Sequence, residues 1–299
     1  MNAQPAPLAL DAAAYPPTGS LIDVAGTQVH VHREGRVDNP AVVLVHGASG
    51  NSRDYSFDLA PRLAEEFHVI AVDRPGHGHS PALHDEGESP AEQAAVLDAA
   101  LEALGIQRAV IVGHSYGGAV AMAWALEHPA RVAGVVSLGG ATMPWPGGLG
   151  SWYRIASSRV GGATVVPLVS SLATRGIAER SAHSIFAPQA PPEGYLSYVG
   201  VGLSLRPETL RTNARQVNTL KPHVTEMAAR YSDLALPVEV VHGSADTIVP
   251  ADVHGARMVA LIPGAKLTLL DDVGHMPHHA DPEAAVTAIR RVAAKAGLR

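Results

Sequence analysis

The chain contains no cysteine. That excludes disulfides, thiolate-bound metal and a cysteine nucleophile together, and it suits a reducing cytoplasm. Charge is also sparse, with 17% Asp, Glu, Lys and Arg and a net charge of −6. Such a balance supplies neither the basic footprint that binds nucleic acid nor a polybasic anchor for an anionic membrane. Neither partner is expected. No apolar run approaches the roughly 20 residues that cross a bilayer. The first residues, MNAQPAPLALDAAAYPPTGS, lack a basic start and a sustained apolar stretch, so they do not read as a secretory signal. A soluble, cytoplasmic protein is the expectation.

What is present is apolar bulk: 46% hydrophobic residues over a length of 299. That is long for one average domain but suits a single large α/β domain carrying an insertion. Residues 1–19 read as a flexible or loosely packed arm. Residues 21–32 alternate around Ala25-Gly26 and predict two short strands joined by a turn. Residues 41–47, 69–73, 109–113 and 132–140 are instead continuous apolar runs, each ending at a turn residue. Strands covered by helices on both faces have that pattern.

Helical segments are predicted between these runs at 57–67, 90–104 and 116–128. The second is well punctuated, with Ser89 as N-cap, Pro90 as first helical residue and Glu92 closing a capping box. Alternation of this kind predicts an α/β fold with a doubly wound, mostly parallel sheet. It stops after Gly140 and resumes with strands at 237–243 and 266–272 and helices at 251–261 and 281–296. The core is therefore assigned to residues 20–142 and 235–299. Residues 143–234 are too long for an ordinary loop and read as an inserted, mainly helical cap. Trp145, Trp152 and Tyr153 within it are candidates to line an apolar pocket, or to form the cap's own small core.

The strongest chemical signal is Gly113-His114-Ser115-Tyr116-Gly117-Gly118, at a strand-to-helix junction. A Gly-x-Ser-x-Gly turn there forces the serine into a tight bend, and Gly113 and Gly117 remove side chains that would clash. The hydroxyl is then exposed beside a helix N-terminus, whose free N–H groups favour a developing oxyanion. A serine needs an adjacent base. His275 follows the last strand, and all parallel strands deliver their carboxyl ends to one edge. Asp246, after the preceding strand, is the candidate to orient that imidazole. The oxyanion donors are assigned to the backbone N–H groups of Tyr116 and of Ala48, in the glycine-bearing loop 46–50. His46 reads as a loop brace.

These residues, with Asp73-Arg74-Pro75-Gly76-His77-Gly78-His79-Ser80, resemble the capped α/β-hydrolase superfamily, in its serine-nucleophile, esterase-like branch. The resemblance runs from about residue 20 onward, weakly over the cap. It implies Ser115, Asp246 and His275 as a triad, Ala48 and Tyr116 as oxyanion donors, and 73–80 as a structural loop bordering the site. Serine at the nucleophile position argues against the dehalogenase and epoxide-hydrolase branches.

Other signals are set aside. Gly76-His77-Gly78 lacks the third glycine of a dinucleotide fingerprint. His275 and His279 have zinc-ligand spacing, but Pro277 disfavours the helix, and no metal or organic cofactor is expected. His278 and His279 read as solvent-facing or helix-start residues. Arg154, Arg159, Arg175 and Arg180 read as a solvated face, with an anionic-substrate role as the alternative. The leading function is hydrolysis of a carboxylic ester or related acyl bond in a small, apolar substrate. Carbon–carbon hydrolysis or cofactor-free perhydrolysis by the same triad is the alternative, and a slowly turning-over ligand receptor is the third reading.

Overall fold

In the computed structural model, which describes residues 10–298, the apolar runs form the centre of one eight-stranded sheet. The first strands are β1 (Ser20–Val24), β2 (Thr27–Glu34) and β3 (Ala41–Val45), followed by the short helices α1 (Arg53–Ser56) and α2 (Leu59–Leu63). Then come β4 (His68–Val72), α3 (Pro90–Ala103), β5 (Ala109–His114), α4 (Tyr116–Glu127) and β6 (Val132–Leu138). Six helices follow: α5 (Ser151–Ser157), α6 (Arg159–Ser171), α7 (Arg175–Phe186), α8 (Tyr195–Val199), α9 (Val201–Leu205) and α10 (Pro207–Ala228). The chain closes with β7 (Val238–Gly243), α11 (Gly255–Leu261), β8 (Lys266–Leu270), α12 (Pro277–Ala280) and α13 (Pro282–Lys295).

The strand order is β1-β2-β4-β3-β5-β6-β7-β8. Strands β3 to β8 pair in parallel, while β1 and β2 form an antiparallel hairpin on the edge. Ala25 and Gly26 both have positive φ, the turn geometry that matches strand twist in a two-residue hairpin. Along β3, Val43 and Val45 enter one apolar cluster with Leu97 and Trp124, while Val42 and Leu44 enter another with Ile289 and Val292. Two buried faces explain why the strands are apolar at every position rather than at alternate ones.

The capping box at Ser89 and Glu92 forms in both directions. The helix expected at 57–67 is the shorter α2, preceded by the separate turn α1, because Asp58 (φ −147°, ψ −49°) leaves helical geometry between them. The described part of the arm is docked rather than loose. Tyr15 is buried, its carbonyl lies 3.0 Å from His79 Nε2, and Arg53 donates to the Pro16 carbonyl at 2.7 Å. Residues 1–9 of that arm lie outside the described residues. Between β6 and β7 the chain contains helices and no strand. No single helix among the described residues is long and apolar enough to cross a membrane.

Candidate active site

The carboxyl ends of the parallel strands meet on one edge, and the loops that leave them carry the polar residues. Ser115 stands between β5 and α4 with φ 51° and ψ −117°, a backbone region that side chains other than glycine avoid. Two glycines make the bend feasible: a Cβ at Gly113 would lie 2.1 Å from the Gly117 carbonyl oxygen, and one at Gly117 the same distance from that of Val45. A strained serine held by its surroundings is a recurrent feature of functional turns.

His275 Nε2 lies 2.9 Å from Ser115 Oγ, and His275 Nδ1 lies 2.8 Å from Asp246 Oδ2. All three residues are buried. The hydroxyl, imidazole and carboxylate singled out in the sequence thus converge from β5, β8 and β7. Burial alone would push the Asp246 carboxyl up, but hydrogen bonds from His242 and His275 hold it well below the ordinary carboxylate range. Its other oxygen accepts from the N–H groups of Ile248 and Val249, both at 2.9 Å. The carboxylate is fixed and ionised, so an N–H on His275 Nδ1 would have an acceptor there, and Nε2 faces the Ser115 hydroxyl.

His242 was missed in the sequence. Its Nε2 donates to the Val249 carbonyl at 2.7 Å and lies 3.3 Å from Asp246 Oδ2. The spacing of four between His242 and Asp246 was visible, but a strand-to-turn boundary gives that spacing no fixed meaning.

Ala48 follows β3 and Tyr116 opens α4, and neither N–H makes a backbone hydrogen bond to another part of the described chain. One residue braces both. Arg74, wholly buried, donates to the carbonyls of His46 and Gly47 at 2.9 Å each, and its guanidinium lies 4.5 Å from the Tyr116 ring centre. His46 Nδ1 lies 2.8 Å from the Gly47 carbonyl and its Nε2 accepts from the Arg74 N–H at 3.0 Å. Burial, aided by the Arg74 charge, drives the His46 pKa down to about 3, so it is a neutral brace. Asp73 anchors the rest of that loop by accepting from the N–H groups of Ser52 and His79.

Of the three aromatics proposed for a pocket, Trp145 and Tyr153 pack against the large cluster that holds Tyr116, Met143 and Val217. Trp152 and Tyr153 pack on Ala156, Val166 and Ala214, a small cluster within the inserted helices. Trp145 lies against His254 at 6.0 Å between ring centres, with Lys221 over its face. The aromatics near the histidine loop are Phe186 and Tyr195, which are buried with Met276 beside Phe57.

His278 and His279 are at a helix start, as one reading had them, but they do not face solvent. His278 Nε2 lies 3.1 Å and His279 Nε2 2.8 Å from opposite oxygens of buried Asp54, and Tyr195 donates to the same carboxylate at 2.7 Å. Burial would raise the Asp54 pKa, but His278 and His279 hold it well below the ordinary range. These three residues offer ligand atoms within 4.8 Å of one another, a possible cation cage by distance. Both Nδ1 atoms are buried without partners, however. With the protons on Nε2 those are bare lone pairs; a metal on Nε2 would make them stranded N–H donors, which costs more. The cluster instead ties α8 to α1 and α12. Tyr195→Phe is expected to cost about 1–3 kcal/mol of stability in urea unfolding, because a buried carboxylate loses a donor. An unchanged midpoint would refute that role.

The comparisons with known proteins agree with this architecture. The sequence profile of the alpha/beta hydrolase fold matches residues 40–282. The chain is 26% identical over 259 residues to a 2-hydroxy-6-oxo-6-phenylhexa-2,4-dienoate hydrolase from Burkholderia cepacia, covering 85% of this chain and 87% of that protein. An esterase crystal structure from Rhodococcus superposes with a TM-score of 0.71 at 26% identity, over 91% of this chain and 96% of that one. An enol-lactonase from Burkholderia xenovorans shares the fold, with a TM-score of 0.70 at 19% identity, over 92% of this chain and all of that one (100%). The chain belongs to the α/β-hydrolase fold family, and it is a hydrolase.

Proposed function

We propose that this hydrolase cleaves a carboxylic ester or related acyl bond of a small, apolar substrate through an acyl-serine intermediate. The observation that carries the reading is the unbroken relay from Ser115 Oγ to His275 to Asp246, at 2.9 and 2.8 Å. Ser115 Oγ attacks the acyl carbon while its proton passes to His275 Nε2. The Ala48 and Tyr116 N–H groups receive the oxyanion, each contributing about 3 kcal/mol to lowering the barrier. His275 returns the proton to the leaving alkoxide, and the alcohol departs. Water then gives its proton to His275 and adds to the acyl carbon; collapse releases the acid and restores Ser115. No metal or organic cofactor takes part. Residues 143–234 act as a cap over this edge, and the protein works in the cytoplasm.

A fluorophosphonate probe tests this directly. Covalent label is expected on Ser115 alone, with His275→Ala suppressing it. A wild-type protein that takes no label and cleaves no short aryl ester would sink the proposal. A second reading, carbon–carbon bond hydrolysis by the same residues, is favoured by the Burkholderia cepacia relative. A vinylogous diketone substrate consumed faster than any aryl ester would select it.

A further inference from the structure

The outer face of α6 and α7 serves nothing described so far. The two helices meet at a bend of 105°. Only Gly161, Gly162 and Val166 of α6 and Ala182 and Phe186 of α7 are buried. Large aliphatics occupy the outside: Val160 is 75% exposed, Leu172 62%, Leu168 57% and Ile177 46%. Val160, Leu168 and Leu172 share one broad side of the helix, with exposed Thr164 between the first two, and lead toward Ile177 across the bend. Singly scattered exposed aliphatics need no explanation, but four large ones on one side of a helix pair do.

The charge beside these aliphatics is predominantly positive. Between residues 149 and 186 the chain has four arginines (Arg154, Arg159, Arg175 and Arg180) and one acid, Glu179, although its net charge is −6. All four arginines are exposed, and none is in an ion pair among the described residues. Arg159 and Arg175 are the first residues of α6 and α7, and neither helix has an acid in its first turn. A cation there adds to the positive end of the helix dipole instead of offsetting it. An anion in contact relieves that unfavourable placement.

We propose that the α6–α7 pair is a docking surface for an anionic lipid bilayer. Val160, Leu168, Leu172 and Ile177 would enter the boundary between headgroups and acyl chains, while Arg159 and Arg175 meet lipid phosphates. The helices are placed on the surface rather than across it: no single one is long and apolar enough to cross, and although the pair together has the length and composition, the 105° bend between them breaks the span. A second copy of the chain is a poorer occupant, since a two-fold contact would set the same arginines against each other. Phe186 at the end of α7 packs on the His279 ring of α12 at 5.5 Å between centres, so the pair adjoins the helix that follows His275. The expectation of no membrane partner rests on whole-chain charge, which averages over this patch.

Flotation with vesicles tests the proposal on the full chain, independently of any catalytic role. Adding about one-third phosphatidylglycerol to phosphatidylcholine vesicles is expected to raise partitioning roughly tenfold or more. High salt should remove that gain. Leu168→Ser with Leu172→Ser should weaken binding to both vesicle types, and Arg159→Gln with Arg175→Gln should equalise them. Thermal unfolding and hydrolysis of a soluble aryl ester should stay at wild-type values in both variants. Absence of vesicle binding at millimolar lipid, or binding unaffected by either pair of substitutions, overturns the proposal. So does a concentration-dependent dimer in light scattering that the two leucine substitutions abolish, which would assign the face to a second copy.

Discussion

Ser115→Ala and His275→Ala are each expected to lower kcat on a short aryl ester by about 10⁴- to 10⁶-fold, and the double variant by no more than the worse of the two. A serine hydroxyl attacks an acyl carbon only when its proton has somewhere to go, and Nε2 of His275, 2.9 Å away, is the acceptor aimed at it. Once either partner is gone, the other has no role left to lose. Asp246→Asn is expected to cost about 10⁴-fold, because an amide in place of the carboxylate favours the wrong imidazole tautomer. Residual catalysis should persist, from the N–H groups of Ala48 and Tyr116 and from binding. Circular dichroism should show an intact fold, since alanine at 115 asks the backbone for the same φ of 51°. Effects that multiply in the double variant would mean that the two groups do not act as one unit.

Those three residues were legible because each has a local signal. A glycine-flanked serine at a strand-to-helix junction is a backbone requirement written in sequence, and Asp246 and His275 follow later strands in chain order. The continuous apolar runs betrayed a sheet buried on both faces for the same local reason. The Asp54 cluster had no such signal. Asp54 and His278 are 224 positions apart, and nothing near either residue announces the other. Residues His278-His279 therefore read as solvent-facing or helix-start residues; they do open a helix, but the fold spends their rings on a buried carboxylate. Trp152 and Tyr153 were ambiguous for another reason. An aromatic on a short amphipathic helix has the same spacing whether it lines a pocket or fills a small core; both residues pack on the small cluster of the inserted helices, and Tyr153 also reaches the large cluster that holds Tyr116.

Acid should unfold this protein unusually early. His46, His77, His114 and His278 are buried. Burial drives all four below the ordinary imidazole pKa, with His46 at about 3 and His77 and His114 far below normal. At His278, burial and the neighbouring His279 outweigh the opposing pull of Asp54. In the unfolded chain each imidazole titrates near ~6.5. Below that pH the unfolded state takes up protons that the folded state refuses, so stability falls as pH falls and keeps falling until the folded groups themselves titrate. Each such histidine contributes a little over ~1 kcal/mol per pH unit while its folded form stays neutral, so the four together give a slope of at most about 5 kcal/mol per pH unit, falling once His278 titrates. A domain of ordinary stability has about 5–15 kcal/mol to lose. Unfolding should therefore set in one to three units below ~6.5, before the depressed carboxylates of Asp54, Asp73 and Asp246 begin to take up protons. Urea midpoints measured from pH 8 down to pH 5 should be flat at first and then drop steeply, and His46→Gln should reduce the slope by about one proton. Midpoints that stay level between pH 7 and 5 would show that these imidazoles are not held neutral.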